Sequence, residues 1–255
     1  MIRLKSEKDI ERLRISGRIL AEVLRALKNR ADIGVKLKDL DALACALIDE
    51  RGARPAFLGY KPKSGRKAYP AAICTSVNEV VVHGLPGNYA LKDSDLLKID
   101  AGVDFNGYIT DAAITVAIGM PSKSAANLVR SAEEALREGI KAAKPGNRVG
   151  DIGYAVEGVA KKYGVEVLHG LTGHGVGFEL HEDPTIFNYG KKGTGMELVP
   201  GLVIAIEPMF SASSPSVIQR PDDSYVTADG SLSVHFEHTV AITEKGVEVL
   251  TTIGS

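Results

Sequence analysis

The run Lys98-Ile99-Asp100-Ala101-Gly102-Val103-Asp104-Phe105-Asn106-Gly107-Tyr108-Ile109-Thr110-Asp111 constrains the fold more than any other stretch of the chain. Asn-Gly between two strand-forming runs is the strongest short hairpin signal. A two-residue turn there puts Asp111 opposite Gly102, and period-two alternation puts Asp100 on the face of Gly102. Asp100 and Asp111 are then diagonal neighbours, with no side chain on Gly102 between them. Leu96, Leu97 and Ile99 lead into one strand and Ile109 into the other. Two carboxylates this close in an apolar sheet repel and lose hydration, so positive charge should lie between them. By parity Lys98 is the one hairpin cation on that face, so a divalent metal ion is the better candidate. The competing reading is a solvated hairpin with two surface aspartates. The hairpin alone leaves both open.

Around the hairpin the chain reads as two related halves. Ser6 with Asp9 opens a helix like a capping box. Ile10, Leu13, Leu20, Val23, Leu24 and Leu27 recur on one face, with Gly17 filling the gap. A second helix follows Gly34, with Leu37, Leu40, Leu43 and Leu47 inward and Gly52 as its stop. The plan then repeats. Ser122 opens a helix with Leu128, Val129, Ala132, Leu136 and Ile140, Pro145-Gly146 breaks it, and another runs to Gly164. Aligned without gaps, Gly34 meets Gly146, Lys36 meets Arg148, Leu37 meets Val149, Asp39 meets Asp151, Leu40 meets Ile152 and Gly52 meets Gly164. Strands are expected at Ala71–Ser76 and Glu79–His83 in the first half and at Leu202–Glu207 in the second. One alternating strand is expected from Ser233 to Ile242, and a long polar loop from Ser211 to Gly230. The fold class is α/β (α+β): helix-helix-strand halves, roughly 1–120 and 121–255, packed as one domain around a shared site.

Composition removes several classes of partner. The net charge is -1, so no global field draws the chain to nucleic acid or to a membrane. The two cysteines, Cys45 and Cys74, have no pairing pattern, which suits a reducing cytosol. The amphipathic N-terminus lacks the apolar run of a signal peptide, and no segment is apolar enough to span a bilayer.

Four acids sit in strand settings with few cations nearby: Asp100, Asp111, Glu207 at the tip of an apolar strand, and Glu237. Each alone is more often a strand-end residue paired with a lysine; together they favour a metal. In Gly173-His174-Gly175-Val176-Gly177 the glycines let backbone pack close, so the imidazole can reach a crowded centre. His181 and His83 are candidate proton carriers or hydrogen-bond donors, whereas His169, His235 and His238 read as ordinary core or surface histidines. Asp100, Asp111, His174, Glu207 and Glu237 form an oxygen-rich set with one nitrogen. It suits Mn, Fe or Co in a dinuclear site better than structural zinc. Two such ions about 4 Å apart lower the pKa of a bridging water and clamp the oxygens of a hydrolytic transition state.

That ordered set resembles the five-ligand set of the pita-bread metallopeptidases. Within that fold the chain is similar to type I methionine aminopeptidases of the short bacterial kind, which lack a zinc-binding N-terminal extension. The matching text is Ile73-Cys74-Thr75-Ser76-Val77-Asn78-Glu79-Val80-Val81-Val82-His83-Gly84, Gly173 to Gly177 with His181-Glu182-Asp183-Pro184, Ile206-Glu207-Pro208-Met209, and Phe236-Glu237-His238-Thr239. The resemblance covers essentially the whole chain. It implies that Asp111 and Glu237 bridge two divalent metals (Co, Mn or Fe, with Zn as a further option). It implies that Asp100 binds one metal, and His174 and Glu207 the other. Glu207 would relay the proton of the bridging water whose hydroxide attacks the scissile carbonyl. His181 would hydrogen-bond that carbonyl, and His83 the scissile amide nitrogen. Cys74, with Tyr69 beside it, would line the methionine pocket.

Two features depart from the family pattern. Leu180 stands where a phenylalanine commonly precedes the second histidine, and the long loop has Tyr225 where many members carry tryptophan. The basic loop Lys61 to Lys67 resembles an insertion. A contact between that loop and ribosomal RNA is one reading, and a plain solvated loop is preferred. The resemblance further implies nascent peptide N-termini as substrates, removal of methionine before a small second residue, a cytoplasmic monomer, and no DNA or membrane partner. The rivals are a proline dipeptidase or aminopeptidase P, which usually carry an extra N-terminal domain, and a metal-free binding protein on the same fold.

Overall fold

The computed structural model describes residues 2–61 and 67–252. The first half contains α1 (Glu7–Arg30), α2 (Leu37–Asp49), β1 (Arg54–Pro55), β2 (Ile73–Val77), β3 (Val80–Val82), β4 (Leu96–Phe105) and β5 (Tyr108–Ala117). The second opens with α3 (Lys123–Ala142) and α4 (Val149–Tyr163), followed by β6 (Glu166–Val167), β7 (Gly173–Gly175), β8 (Glu182–Ile186) and β9 (Val203–Ile206). It closes with β10 (Met209–Ser211), β11 (Val217–Gln219), β12 (Tyr225–Thr227), β13 (Ser233–His235), β14 (His238–Thr243) and β15 (Gly246–Val249). No helix of the described residues is long and apolar enough to cross a membrane. Residues 62–66 of the basic loop lie outside the described residues.

Each half begins with a helix pair whose ends are set by the same chemistry. Ser6 and Asp9 close a reciprocal capping box at the start of α1, and Ser122 caps α3 by accepting from the Ala125 amide. Ile10, Leu13, Leu20, Val23, Leu24 and Leu27 are all buried. A methyl group on Gly17 would run into the Leu250 carbonyl, so the helix packs there backbone to backbone. In α2 the buried stripe is Leu37, Leu40, Ala44 and Ile48, while Leu43 and Leu47 are only half-buried. Six residues rotate Leu43 about 120° away from Leu37, so the true stripe steps to the smaller Ala44. The two halves also repeat in their backbone. Gly34 and Gly146 share φ +85, and Gly52 and Gly164 share φ +66. Lys36 and Arg148 each make an isolated bridge, to Ala90 and Glu197.

The hairpin is as its sequence dictates. β4 and β5 pair antiparallel from Leu96–Ala117 to Phe105–Tyr108, with Gly102 opposite Asp111. Asn106 and Gly107 have φ of 55 and 85, the paired positive values that a tight two-residue turn requires. β4 also pairs with β2 and β1. A second sheet has the order β15-β14-β9-β7-β8. β10 lies between β13 and β6, and β12 between β11 and β3.

Two expectations are corrected here. The run from Ser233 to Ile242 is not one strand. It breaks at Phe236-Glu237 into β13, paired with β10, and β14, paired with β9. Alternation of residue type does not reveal this, because nearly every side chain in the run is buried. The stretch from Ser211 to Gly230 is not a plain loop either, since β11 and β12 form a hairpin within it and β12 pairs with β3.

The break in the chain is where the halves are stitched together. The Glu237 amide donates to the Ala113 carbonyl at 2.9 Å. The Thr239 hydroxyl donates to the Asp111 carbonyl at 2.7 Å and accepts from the Asp111 amide at 2.9 Å. Thr115 makes the same two-way clamp with the backbone of His235, at 2.7 and 3.1 Å. Separate apolar clusters lie under α1–α2 and α3–α4, and a smaller one (Ile10, Leu13, Val176, Val203, Ala241, Leu250) joins the halves.

Candidate metal centre

Each acid reaches the centre from a rigid element. Asp100 and Asp111 project from paired strands β4 and β5. Glu207 follows β9, and Asn188 donates to its carbonyl at 2.9 Å. Glu237 sits at the break between β13 and β14, where the halves meet. His174 is carried by β7, between two glycines at which an added methyl would strike the carbonyls of Ala205 and Asp183. Strands β9 and β8 can therefore close around it. Its Nδ1 faces the Gly175 carbonyl at 2.9 Å, which turns Nε2 toward the acids.

Nε2 of His174 lies 3.5 Å from Glu207 Oε1 and 3.8 Å from Asp111 Oδ2. Asp111, His174 and Glu237 converge closely enough to hold one ion, and so do Glu207, His235 and Glu237. Four of the five predicted residues are thus drawn to one place, and Asp100 adjoins them with its carboxyl against that of Asp111. His235, set aside on the sequence, joins them, with Nε2 3.4 Å from Glu207 Oε2. It was hidden because an apolar neighbour on each side made it resemble core.

The site is short of positive charge. Glu207 is 8%, Asp111 4% and Glu237 2% exposed. No lysine or arginine ion pair reaches the four acids among the described residues. Lys98 points elsewhere: its ammonium donates to the carbonyls of Asn78 at 2.7 Å and Ser233 at 3.2 Å. Burial pushes Asp100 and Glu207 up to about 7, and pushes Asp111 and Glu237 well above the carboxylate range, with mutual repulsion adding to Asp111 and Glu237. Among the described residues, Oδ1 of Asp100, Oδ1 of Asp111 and Oε1 of Glu237 are buried without a hydrogen-bond partner. Stranding several buried carboxylate oxygens costs several kcal/mol each when they ionise. Divalent cations supply what this donor set lacks, and the residues fit them.

Beside the acids lies an apolar cluster. Cys74 is opposite Asp100 across β2 and β4, so its thiol shares that face. Cys74, Phe57 and Leu180 form a buried cluster, with Tyr69, Tyr60 and Ile109 packed against it. Phe57 packs over Gly102, where a β-carbon would come within 2.9 Å of its ring. Tyr69 donates its hydroxyl to the carbonyls of Ile73 and Gly84, both at 3.1 Å. Leu180 packs in this cluster as an aliphatic side chain. Phe57 and Tyr60 were missed on the sequence, because they lie in an irregular segment with no periodicity to mark them.

The two further histidines stand at the open edge. His181 packs against His174 with ring centres 4.3 Å apart, and its Nδ1 meets the Tyr60 hydroxyl at 2.7 Å. Its segment is anchored by Glu182, which accepts from the Phe178 and Glu179 amides and pairs with the buried Lys5 at 2.6 Å. His83, in a left-handed backbone conformation at φ 60, sits edge-on to Tyr225 at 5.8 Å. Solvent reaches both rings. The protein mass behind them nevertheless pushes both pKa values down, helped for His181 by His174 and for His83 by His235.

Known proteins share this plan. The family model described as Metallopeptidase family M24 matches residues 11–244. A methionine aminopeptidase of Aquifex aeolicus is 44% identical over 256 residues, covering 98% of this chain and 98% of its own. One from Clostridium perfringens is 42% identical over 255 residues, covering 99% and 100%. The crystal structure of methionine aminopeptidase from Thermotoga maritima matches with a TM-score of 0.94 at 40% identity, covering 99% of this chain and 100% of that one. The architecture is therefore the pita-bread fold. With its acids and imidazole gathered at the junction of two repeated halves, and with this similarity along nearly its whole length, the chain belongs to metallopeptidase family M24, in its methionine aminopeptidase branch.

Proposed function

We propose that the protein removes the initiator methionine from peptides whose second residue is small, using a dinuclear metal centre in a single catalytic domain. The observation that carries this reading is the set of buried carboxylate oxygens without a hydrogen-bond partner among the described residues, beside the apolar cluster of Cys74, Phe57 and Leu180. Asp111 and Glu237 would hold both ions, Asp100 one of them, and His174 and Glu207 the other. Mn, Fe, Co or Zn bound there would lower the pKa of a water and polarise the scissile carbonyl.

The remaining work falls to the side chains. Glu207 takes the proton of the attacking water and passes it to the leaving amine. The Tyr60 hydroxyl lies 2.7 Å from Nδ1 of His181, and if it donates there the ring's proton sits on Nε2. His181 can then donate to the oxygen that gains charge as the carbonyl is attacked. His83 holds the scissile nitrogen, and Tyr225 beside it limits room for the second residue. Cys74, Phe57, Leu180 and Tyr69 receive the methionine side chain. Nascent peptides in the cytoplasm are the substrates this assignment implies, and the two free cysteines suit that compartment.

The test is peptide cleavage after reloading with each metal in turn. Met-Ala-Ser should lose its methionine and Met-Leu-Ser should be spared. Cleavage of Ala-Pro instead would move the protein to the proline-peptidase side of the family. A metal-replete protein that cleaves nothing would favour a binding role.

A further inference from the structure

We propose that His235 is itself a ligand of the metal centre, so that the site presents two imidazoles, one to each oxygen of Glu207. The inference rests on the metal-centre reading and adds a residue to it. His174 Nε2 lies 3.5 Å from Oε1 of that carboxylate, and His235 Nε2 lies 3.4 Å from Oε2. His235 Nε2 is also 3.9 Å from Oε2 of Glu237. His235 is 1% exposed, and neither of its ring nitrogens has a hydrogen-bond partner among the described residues.

The separations are those of ligands around a common ion. Two donors about 2.1 Å from one cation lie roughly 3.0 to 3.4 Å apart at octahedral or tetrahedral angles, and about 4.2 Å apart when opposite. The 3.4 Å to Glu207 matches adjacent donors, and the 3.9 Å to Glu237 falls between the adjacent and opposite values. They are also longer than the 2.7–3.2 Å typical of an N–H···O hydrogen bond, so a hydrogen bond to Glu207 does not account for them. The orientation of the ring is not accidental. Its backbone is clamped on both sides by the Thr115 hydroxyl and paired with Met209 on β10. A buried imidazole held in this way, with Nε2 facing two carboxylates and no other partner, is placed to ligate. A second nitrogen donor moves the set toward Fe, Co and Zn, and away from Mn and Mg, which prefer oxygen.

Proton NMR of the Co(II)-loaded protein tests this by counting imidazole ligands. Each coordinated ring gives a strongly shifted N–H resonance that disappears in D2O. The wild-type protein should show two, with His235→Gln losing one and His174→Gln losing the other. Titration with Co(II) should also show weaker uptake by His235→Gln than by wild type. A single exchangeable resonance that survives His235→Gln would overturn the inference and leave the metal centre standing. Failure of the wild-type protein to take up Co(II) would remove both. If His235→Gln does not fold, the wild-type count, made with 15N-labelled histidine, still decides.

Discussion

Glu207 stands between two imidazoles, at 3.5 and 3.4 Å, at the end of a strand buried on both faces. Glu207→Gln keeps the shape but removes the ability to carry a proton. The expected outcome is a loss of about 100- to 10,000-fold in kcat on Met-Ala-Ser, read by release of free methionine. Leu180 is a different kind of residue, packed with Phe57 and Cys74 in the cluster proposed to receive the methionine side chain. Leu180→Ala should raise KM for Met-Ala-Ser about tenfold or more while kcat changes little, because the lost apolar contact serves ground state and transition state alike. Among single residues the sequence was most legible where backbone geometry leaves few choices. The paired glycines Gly34 and Gly146 mark the same turn twice, and Asn106-Gly107 marks the hairpin. It was least legible at His235 and Tyr60, whose roles depend on neighbours far along the chain.

At the scale of elements, the β4–β5 hairpin was fully determined by local rules, down to the pairing of Gly102 with Asp111. The run from Ser233 to Ile242 was not. Its side chains are buried on both faces, so type alternation carries no record of the break at Phe236-Glu237. That break is where β13 and β14 pass into different sheets, and Thr239 and Thr115 hold it against β5. Thr239→Val keeps the volume and removes the hydroxyl that satisfies both backbone groups of Asp111. Each buried group left unpaired costs about 1–3 kcal/mol. At roughly 2–4 °C per kcal/mol for a chain of this size, the melting temperature should fall by several degrees. Metal uptake, followed by titration calorimetry, should weaken with it, because Asp111 loses its anchor.

For the molecule as a whole, folding brings four carboxyls into a space that tolerates them charged only beside cations. In the metal-free protein burial holds Asp100 and Glu207 at about 7 and Asp111 and Glu237 well above their ordinary range. A carboxyl whose folded pKa is raised keeps its proton longer than it does in the unfolded chain. Its contribution to stability is present below about pH 4 and is lost as pH rises through the folded value. Metal must displace those protons, so its stabilising effect grows in the same direction. The gap in melting temperature between Mn(II)-loaded and EDTA-treated protein should therefore widen from pH 5.5 to pH 8, measured by scanning calorimetry. Comparing the two forms at each pH largely cancels Lys98, which burial lowers to about 7 in both. The sequence by itself determined the hairpin and the repeated helix pairs, because caps, turns and periodicity act over a few residues; it also supplied the five side chains proposed to bind metal. Tertiary structure decided where the strand breaks, which aromatic rings pack around Cys74, and that His235 faces the acids. Those outcomes come from contacts between segments far apart in the chain, and no local preference encodes them.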